Sequence, residues 1–563
     1  MLNIFFGSLV SSIIFISYGT LFSLFFLKKK ISHLDPCISG LNGFIVIGFL
    51  SLFLNFFFPI NKIVGTILLL ISVIIFMYYL SFKNRNKKLI FLIIILSIST
   101  FIIVTLSNIN RPDAGLYHLP YISILQENKI IIGLTNLHYR FGHTSIFQYI
   151  SATHNNYIFK KEFLNIPLAS LMSFFIYFLF KNLQKFLKKN DEIKITSILF
   201  IFIFSLYSFN RYGNYGNDAP TNIFFLILII YLLKIENFKT LKIEKFYQIS
   251  ILSIFLITLK PFMILVSILP LTLFFITSNK KKIIKNKNFI TCLFLLSIWF
   301  IKNILISGCF VFPIKETCIK NLNIYNENIT STASNEAEAW AKGFPDSDKK
   351  LDFNTYNSKF NWVGAWYDNH FKKIVEKILP LIVLLTLFFI KNFFQKSFYR
   401  SLNLKNILEN KKILFIMLFS FCYCIIWFIK FPVYRFGLSF IACFFILTFV
   451  CFLNLKNIQI YNKKFYLIIT IFGLIGFYGK NLDRIIEKRN IIYNNYPWPK
   501  IYSMSDSEEN LQKQFLKILD SKNNLVFYYS GGQECMYSKS PCSNYKNENL
   551  KIKRIYNYII YYI

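Results

Sequence analysis

The stretch that decides the fold reads IVGTILLLISVIIFMYYLSF over residues 63–82, then KNRNKK over 83–88, then LIFLIIILSISTFIIVTLS over 89–107. Each apolar run has about twenty residues, which is enough for a helix to cross the hydrocarbon core of a bilayer. The basic cluster between the runs is too polar to enter that core. The pattern predicts two membrane-spanning helices joined by a basic turn.

Similar apolar runs recur along most of the chain. Its 563 residues are 55% hydrophobic, 19% aromatic and only 16% charged, whereas about one quarter of a soluble domain is charged. This composition excludes a soluble globular enzyme. We expect an all-α polytopic membrane protein with about 12–14 transmembrane helices. Residues 1–479 would form the transmembrane domain, and residues 480–563 a small outer C-terminal tail.

The formal net charge of +36 comes largely from lysine clusters between the apolar runs. Cytoplasmic loops of membrane proteins carry such clusters, so their spacing indicates topology rather than a nucleic-acid site. We therefore expect the lipid bilayer as a partner and no nucleic acid. The clusters are Lys28–Lys30, Lys83–Lys88, Lys181–Lys194, Lys280–Lys287 and Lys411–Lys412.

Orientation follows from the alternation of basic and base-poor connections. With the lysine clusters inside, both termini lie outside, and two long segments at about 108–161 and 308–376 form outer loops. The second loop contains Trp-bearing amphipathic stretches at 336–342 and 360–371, which we expect to lie on the membrane surface as packing helices. The polar residues with possible functions then collect on the outer side.

Four of the ten cysteines lie away from the apolar runs: Cys309, Cys318, Cys535 and Cys542. Closely spaced pairs on an outer, oxidising face favour disulfide bonds. Zinc binding is the alternative, although neither pair has the two-residue spacing or the nearby histidine of common zinc sites. The sequence leaves open whether each pair closes on itself or the two segments are cross-linked.

The densest polar stretch follows the fourth predicted span. It contains Asp113, Tyr117 and His118, followed by His138 and Arg140. A partly desolvated carboxylate beyond a span can act as a general base, and histidines can donate to phosphate or orient a carboxylate. In the structural alternative, Asp113 caps the following helix and the histidines pack at the membrane interface.

Two more charged residues interrupt the apolar pattern. Asp218 lies in the turn Gly216–Pro220, and Lys260 precedes a proline inside an apolar run. A charge within such a run is costly unless it faces water, protein or an anion, and a broken helix exposes backbone groups that bind phosphate. The structural alternatives are an aspartate that caps the next helix and a lysine that extends to the interface.

Arg435 and Lys302 complete the set of candidates. Arg435 lies in the turn Tyr434–Phe436, and Lys302 lies near the end of the tenth predicted span. The guanidinium fork of arginine fits phosphate or pyrophosphate, and a lysine within a membrane span is a functional candidate by default. The alternatives are an anchoring arginine in an aromatic belt and a lysine that extends to the interface.

The order of these features resembles that of GT-C glycosyltransferases. Both have an outer Asp after an early span, a second Asp in the next outer loop, a Lys-Pro break and a late Tyr-Arg turn. The run Trp299-Phe-Ile-Lys302-Asn303, continuing to Phe312-Pro313, is similar to their W-x-x-R/K-N … G … P stretch. More closely, the chain resembles an uncharacterised bacterial family of GT-C-like polytopic membrane proteins. The segments that carry this likeness are 112–120, 136–138, 216–218, 307–318 and 535–542.

The resemblance implies a transferase at the outer face of the bacterial inner membrane, which moves a sugar from a polyprenyl-phosphate donor to an acceptor. Asp113 would deprotonate the acceptor, Arg435 and Lys260 would hold the donor phosphate, and Asp218 would position donor or acceptor. No cofactor or metal is expected, because the sequence contains no P-loop and no metal-ligand cluster. The remaining candidates are His118 for catalysis and Tyr117, His138, Arg140 and Lys302 for substrate binding.

Other functions fit the same residues. A transporter or flippase for a lipid-linked or anionic substrate would use Lys260, Lys302 and Arg435 as an anion path. These residues would then line a cavity that is open to both sides and has no acidic residue at its outer end. A polysaccharide polymerase or ligase would share the lipid-phosphate donor. A structural or assembly component, in which the polar clusters are only packing, would keep Asp113 and Asp218 far apart and salt-bridged. If the chain is a transferase, we expect Asp113, Asp218, Lys260 and Arg435 to surround one outward-facing cavity.

Overall fold

The chain is mostly helical. The computed structural model describes residues 2–28, 30–31, 34–81, 86–105, 113–159, 163–209, 215–344, 352–393, 411–452, 463–487, 516–520, 522 and 524–563. Pro112, which contributes to the family resemblance, lies outside the described residues, as does most of the turn that precedes Gly216.

Short 3₁₀ and π segments lie between some of the α-helices. Of these, the π-helices Ala114–His118 and Tyr367–Phe371 and the 3₁₀ helix Pro261–Ser267 matter below. The α-helices are α1 (Leu2–Phe25), α2 (Pro36–Asn55), α3 (Lys62–Ser81), α4 (Asn86–Thr105), α5 (Leu119–Glu127), α6 (Ile146–Ala152), α7 (Ile166–Lys189), α8 (Glu192–Ser208), α9 (Asp218–Leu233), α10 (Ile243–Leu259), α11 (Ile268–Ile276), α12 (Lys280–Ile284), α13 (Lys287–Ser307), α14 (Glu327–Ala341), α15 (Phe353–Asn357), α16 (Val363–Trp366), α17 (Lys372–Phe393), α18 (Lys411–Lys430), α19 (Tyr434–Phe452) and α20 (Lys463–Glu487).

Within the described residues, eight helices are long and apolar enough to cross a membrane. Several other predicted spans are shorter: α9 has 16 residues and α10 has 17. At about 1.5 Å per residue, such helices fall short of the roughly 30 Å of a hydrocarbon core. The eight candidate spans are Asn3–Phe25, Pro36–Asn55, Lys62–Ser81, Lys87–Val104, Ile166–Lys189, Lys287–Ser307, Lys411–Lys430 and Tyr434–Cys451.

Helices α1 and α2 cross at two glycines. A Cβ atom on Gly19 would lie 1.6 Å from the carbonyl oxygen of Ser39, and one on Gly43 would lie 1.9 Å from that of Phe15. The crossing is therefore possible only without side chains at these positions. It also stacks the rings of Phe15 and Phe44, whose centroids are 3.6 Å apart. Small residues at such crossings are typical of helices that associate within a membrane.

Lysine-rich helix ends lie together at one end of the bundle. The side-chain amide of Asn288 donates to the carbonyl oxygen of Phe26 at 2.8 Å. The amine of Lys412 donates to the carbonyl oxygens of Leu233 and Ile235 at 3.2 and 2.9 Å. These contacts join the start of α13 to the end of α1 and the start of α18 to the end of α9. This arrangement agrees with the predicted placement of these lysine clusters on one side.

The Lys260–Pro261 step turns the chain at the other end of the bundle. Helix α10 ends at Leu259, Lys260 is extended, and the 3₁₀ helix Pro261–Ser267 leads into α11. The chain then returns to the lysine-rich end, where the N–H of Ser278 donates to the carbonyl oxygen of Lys239 at 3.0 Å. Proline causes the break because it lacks an N–H and restricts the preceding residue to extended backbone.

The C-terminal tail differs from the all-α prediction. Strands β1 (Leu516–Leu519), β2 (Leu525–Tyr529) and β3 (Cys542–Ser543) form one sheet, and β4 (Lys551–Ile555) pairs with β5 (Tyr558–Tyr562) in a second. β2 is antiparallel to β1 and parallel to β3. Both LVFYY and YIIYY are rich in β-branched and aromatic residues, which favour strands. The sequence interpretation assigned no secondary structure to the tail and so missed both sheets.

The tail packs on the first outer segment. Ile132 bridges Ile560, and the N–H of Tyr561 donates to the carbonyl oxygen of Ile132 at 2.9 Å. The N–H of Met536 donates to the carbonyl oxygen of Gly115 at 2.9 Å. The described part of the tail therefore belongs to the same layer as residues 113–159.

Both outer cysteine pairs form disulfide bonds within their own segments. The S–S distances are 2.02 Å for Cys309–Cys318 and 2.11 Å for Cys535–Cys542. Of the pairings that the sequence left open, the structure has the local one. The first disulfide closes the loop after α13, and the second closes the tail loop that reaches Gly115.

Candidate functional site

Four charged residues from distant parts of the sequence meet at the end of the bundle where Lys260 turns the chain. Asp113 precedes the π-helix, Asp218 begins α9, Lys260 follows α10, and Arg435 is the second residue of α19. Each stands at or beside a helix terminus. Helix termini expose unpaired backbone groups, so polar surroundings are present there and a charge is less costly than in mid-span.

The four residues form one chain of ion pairs. Nη2 of Arg435 lies 3.0 Å from Oδ2 of Asp113, and Nε of Arg435 lies 2.7 Å from Oδ2 of Asp218. The other carboxylate oxygen of Asp218 pairs with the amine of Lys260. Two carboxylates and two cations therefore balance each other in a largely shielded site, and the planar guanidinium fork contacts both carboxylates.

Two asparagines tie the helix ends of this network together. The side-chain amide of Asn222 donates to the carbonyl oxygens of Asp218 and Arg435, each at 2.9 Å. The side-chain amide of Asn217 donates to the carbonyl oxygen of Leu259 at 3.0 Å. These bonds join α9 to α19 and to α10. Asn217 belongs to the segment 216–218 that carries the family resemblance, but sequence reasoning named neither asparagine as a site candidate, because asparagine is frequent throughout the chain.

The amine of Lys260 points into the protein. Its side chain is 7% exposed, and Nζ lies 3.2 Å from the centroid of the Phe436 ring. An aromatic face and a carboxylate together stabilise a buried ammonium group. The alternative of a lysine that extends to the membrane interface is therefore wrong for Lys260.

A cavity of about 740 Å³ opens beside the ion pairs. This volume is typical of sites for small ligands. Its walls include residues from the two long segments predicted to be outer loops, which are far apart in the sequence. Its lining includes Asp113, Asp218, Lys260 and Arg435, together with Tyr117, His118, Tyr139, Arg140, His143, Trp340, His370 and Lys373.

His118 contributes a neutral imidazole to this lining. The side-chain amide of Gln148 donates to its Nδ1 at 3.1 Å, which leaves the ring proton on Nε2. Burial lowers the pKa of His118 to about 4, despite the nearby carboxylates. At neutral pH, the ring can therefore offer an N–H to a ligand without carrying a charge.

A second polar cluster links the two outer segments at the cavity. Glu336 accepts from the Tyr139 hydroxyl, and Nη2 of Arg140 lies 3.6 Å from the same carboxylate oxygen. The indole N–H of Trp340 donates to that oxygen at 3.3 Å. The Arg140 guanidinium also lies 5.5 Å from the centroid of the Tyr117 ring. The stretch at 336–342 was predicted to be a packing helix, yet it brings Trp340 to the cavity.

Comparison with sequence families assigns the chain. The profile of the family described as Domain of unknown function (DUF8201) matches residues 1–442. The chain belongs to the DUF8201 family. The matched region contains the whole ion-pair network and the Cys309–Cys318 loop, whereas the tail lies beyond it. No curated protein and no solved structure matches the chain.

Two predicted substrate-binding residues of this DUF8201 protein lie outside the cavity lining. His138 accepts from the N–H of Arg140 at 3.2 Å and bonds the side chain of Asn544 in the tail at 2.9 Å. Lys302 is fully buried and donates to the hydroxyl of Thr144. The partners of His138 and Lys302 are protein groups, and these bonds hold neighbouring segments of the chain together. Sequence spacing grouped them with the site because it does not report side-chain direction.

The charge of the lining favours an anion. Arg435 and Lys260 are balanced by Asp113 and Asp218, whereas Arg140 and Lys373 add two more positive charges to the walls. Arg140 is partly offset by Glu336, which is 3.6 Å away. Among the residues that the structure describes, no group of three or more His, Cys, Asp or Glu side chains is placed to hold a metal ion.

Proposed function

We propose that this DUF8201 protein is a membrane-embedded, GT-C-like glycosyltransferase. It would move a sugar from a polyprenyl-phosphate donor to an acceptor at the outer face of the bacterial inner membrane. One observation carries the proposal: Asp113, Asp218, Lys260 and Arg435 line a single cavity as one ion-pair network. The residues that the GT-C resemblance singles out for base and phosphate roles are those that meet.

The proposed position in the membrane rests on the distribution of charge. Among the described residues, eight helices are long and apolar enough to form a membrane-spanning body, and lysine-rich helix ends lie opposite the cavity. Lysine clusters favour the cytoplasmic side, so the cavity would open on the outer side. The disulfides Cys309–Cys318 and Cys535–Cys542 suit an oxidising outer compartment.

Donor binding would rearrange the ion pairs. The phosphate of the donor competes with the carboxylates for Arg435 and Lys260, and Lys373 adds positive charge at the same cavity. Phosphate accepts bidentate bonds from a guanidinium group as well as a carboxylate does. As Arg435 moves to the phosphate, Asp113 loses its partner and becomes available to accept a proton.

The reaction then needs three linked bond changes. Asp113 accepts the proton of the acceptor hydroxyl, and the acceptor oxygen bonds to the anomeric carbon of the sugar. The bond from that carbon to the phosphate oxygen breaks, and its electron pair stays on the phosphate. Arg435 and Lys260 stabilise this leaving group, while Asp218 holds both cations in position.

The alternative functions differ in how well they fit the residues that line the cavity. The transporter path required Lys260, Lys302 and Arg435 together, but Lys302 lies outside the cavity lining. That path also required no carboxylate at its outer end, whereas two carboxylates line the cavity. A polysaccharide polymerase or ligase uses the same donor chemistry and differs only in its acceptor.

The direct test is a transfer assay with the full chain reconstituted in phospholipid vesicles. Radiolabelled polyprenyl-phosphate sugars serve as donors, and lipid and glycan extracts of the host membrane serve as acceptors. We expect label to move to an acceptor, and Asp113→Asn to lower the rate at least about a hundredfold, as for loss of a general base. Glu548→Gln changes an exposed carboxylate of the tail and should keep the wild-type rate.

Full activity of Asp113→Asn would refute the role of the base. If no donor transfers its sugar to any acceptor, while the vesicles instead carry the lipid-linked donor across the bilayer, the flippase function replaces the transferase.

A further inference from the structure

His118 presents a buried N–H group that the protein itself does not use. Its residue is 6% exposed. Nδ1 of the ring accepts from the side-chain amide of Gln148 at 3.1 Å, whereas Nε2 makes no hydrogen bond to any residue that the structure describes. A buried donor is costly unless something accepts its hydrogen, so Nε2 marks a place where a ligand or solvent binds.

The side chain of Gln148 fixes which ring nitrogen of His118 carries the proton. Gln148 closes the capping box of α6, in which its Oε1 accepts from the backbone N–H of Ser145 at 2.9 Å. A backbone N–H can only donate, so the amide nitrogen of Gln148 is the end that faces His118. That nitrogen also only donates, so Nδ1 is the acceptor and the proton of the neutral ring lies on Nε2. The second ring nitrogen is therefore a donor and not a base.

Open space lies next to this donor. A Cβ atom on Gly216 would lie 3.6 Å from Nε2 of His118, and no other atom of the described residues would lie within 4 Å of it, apart from those of its chain neighbours. Gly216 and His118 both line the cavity. A ligand atom can therefore reach Nε2 from the cavity, through the space that the missing side chain of Gly216 leaves.

Helix α9 begins beside the same space. Its N-cap residue Asn217 donates its side-chain amide to Leu259 and does not cap the helix. The backbone N–H groups of Asp218 and Ala219 make no hydrogen bond to the described residues. Such N–H groups point back along the helix axis, here toward Gly216, and carry the partial positive charge of the helix N-terminus.

These groups favour a ligand that only accepts hydrogen bonds. His118 and the start of α9 only donate, as do Lys260 and Arg435, which line the same cavity. The carboxylate of Asp218 accepts, but its two oxygens are paired, one with each of these cations. A hydroxyl group here would find no acceptor for its hydrogen, whereas the oxygens of a phosphate group can meet donors from several directions. Helix N-termini also favour phosphate through their dipole.

We infer that His118, Gly216 and the start of α9 form a phosphate site. The N–H of His118 and the first backbone N–H groups of α9 donate to phosphate oxygens, and Gly216 leaves room for one of these oxygens. Gln148 is a positioning residue, because it sets the tautomer of His118. That the phosphate belongs to a lipid-linked sugar donor rests on the proposed function, whereas the phosphate site does not. The competing explanation is that His118 only packs against its neighbours.

The test measures ligand binding by saturation-transfer NMR, with the full chain in phospholipid nanodiscs and empty nanodiscs as the background. The probes are dimethylallyl phosphate, dimethylacrylate and dimethylallyl alcohol, which share a short branched chain and differ in their polar group. We expect the phosphate to bind, and the carboxylate and the alcohol to bind at least about tenfold more weakly, because they leave donors without partners. Equal binding of the three probes would mean that the site does not select phosphate.

The sharpest variant is Gly216→Ala. Its methyl group would take the space beside His118, so binding of dimethylallyl phosphate should weaken at least about tenfold. The fold should be preserved, because a contact at 3.6 Å is an ordinary van der Waals distance and φ of Gly216 lies outside the left-handed region. Gly364→Ala is the matched control. It adds the same methyl group outside the cavity lining, where no atom of the described residues lies within 4 Å, and should bind like the wild type.

Two variants of His118 separate hydrogen bonding from packing. His118→Phe keeps a flat ring without the N–H and should weaken phosphate binding at least about tenfold, whereas His118→Gln keeps an amide N–H at a similar reach and should weaken it less than about threefold. In protein with isotope-labelled histidine, the Nε2–H signal that His118→Phe removes should shift when dimethylallyl phosphate is added. Wild-type binding by either Gly216→Ala or His118→Phe would overturn the inference.

The inference and the proposed function can fail separately. If dimethylallyl phosphate binds through His118 but no sugar is ever transferred, the phosphate site stands and the transferase is wrong. If transfer occurs, and Gly216→Ala and His118→Phe leave both phosphate binding and the KM for the donor unchanged, the transferase stands and the phosphate site is wrong.

Discussion

Arg435 connects the two candidate catalytic carboxylates. It contacts Asp113, which is 322 positions earlier in the chain, through Nη2, and Asp218 through Nε. A lysine would offer the two carboxylates a single nitrogen atom, whereas the guanidinium group contacts them through two separate ones. The sequence indicated either a phosphate ligand or an anchor at this position. Its pairing with both carboxylates depends on how four helix ends meet.

At the residue scale, His138 should make stability depend on pH. Its ring is neutral, with Nδ1 accepting from the backbone N–H of Arg140 and the Nε2–H donating to Oδ1 of Asn544. Burial, and then the charge of Arg140, lower its pKa from 6.5 to about 4. Between these two pH values the unfolded chain binds a proton that the folded chain does not, so stability falls as the pH falls through this range.

The full effect of His138 is about 3 kcal/mol at low pH and zero above about pH 7. Melting temperatures of the full chain in detergent, measured from pH 7.5 to 4.5, should therefore fall less steeply for His138→Asn than for the wild type. Asn544→Ala removes the partner but keeps the titrating ring, so it should lower the melting temperature at pH 7.5 as well. Identical pH slopes for wild type and His138→Asn would contradict the prediction.

At the element scale, the tail loop closed by Cys535–Cys542 supports the π-helix that follows Asp113. The N–H of Met536 donates to the carbonyl oxygen of Gly115 at 2.9 Å. A Cβ on Gly115 would lie 2.0 Å from the Glu534 carboxylate, so the loop packs where a side chain is missing. π-Helices are uncommon and weakly stabilised by their own bonds, so this outside contact helps to hold Asp113 in place.

Removing the tail disulfide should loosen this helix. In the double variant Cys535→Ser/Cys542→Ser, we expect amide hydrogen exchange at residues 114–118 to rise at least about tenfold, which corresponds to about 1.4 kcal/mol of local stability. Hydrogen exchange followed by mass spectrometry measures this without any activity assay. Cys309→Ser/Cys318→Ser opens the other disulfide and should leave residues 114–118 unchanged. Equal exchange in both variants would mean that the tail does not support the π-helix.

At the scale of the whole molecule, the lysine clusters and the ion-pair network occupy opposite ends of the bundle. Lysine-rich helix ends contact one another at one end, and the ion-pair network and the cavity lie at the other. The described part of the tail joins the cavity end through Gly115 and Ile132. A bilayer placed between the two ends would put the cavity and the tail on one side of the membrane.

This arrangement predicts the outcome of labelling in intact cells. A membrane-impermeant maleimide should label Lys546→Cys, at an exposed position of the tail, without permeabilisation. It should label Lys239→Cys, at an exposed position of the lysine-rich end, only after permeabilisation. The unmodified chain gives the background from its own cysteines. Labelling of both variants from the same side would exclude the proposed topology.

The value of sequence reasoning varied from residue to residue. Sequence reasoning predicted four residues of the site: Asp113, Asp218, Lys260 and Arg435. Each is a charge at an interruption of an apolar run, and such a charge is costly unless it faces water, protein or a ligand. His138 and Lys302 were equally prominent, yet they lie outside the cavity lining. Spacing in irregular outer segments does not determine side-chain direction, whereas helix ends confine their charged residues to one layer.

The second wall of the cavity could not be predicted in this way. Trp340 and Glu336 lie on an amphipathic helix, and the sequence supports a packing role for such a helix as well as a binding role. The contacts of Glu336 with Tyr139 and Arg140 join two segments that are almost two hundred residues apart. Only the docking of those segments decides which face of α14 meets the cavity.

By itself, the sequence determined that the chain is built from apolar helices with basic connections, because hydrophobic length and lysine clusters are local properties. The tertiary structure alone decided that two carboxylates share one arginine, that Lys260 turns inward, and that the tail folds as strands whose disulfide-closed loop contacts the π-helix. Those outcomes depend on which helix ends and segments meet, and such meetings arise from packing across the whole bundle rather than from any single stretch of sequence.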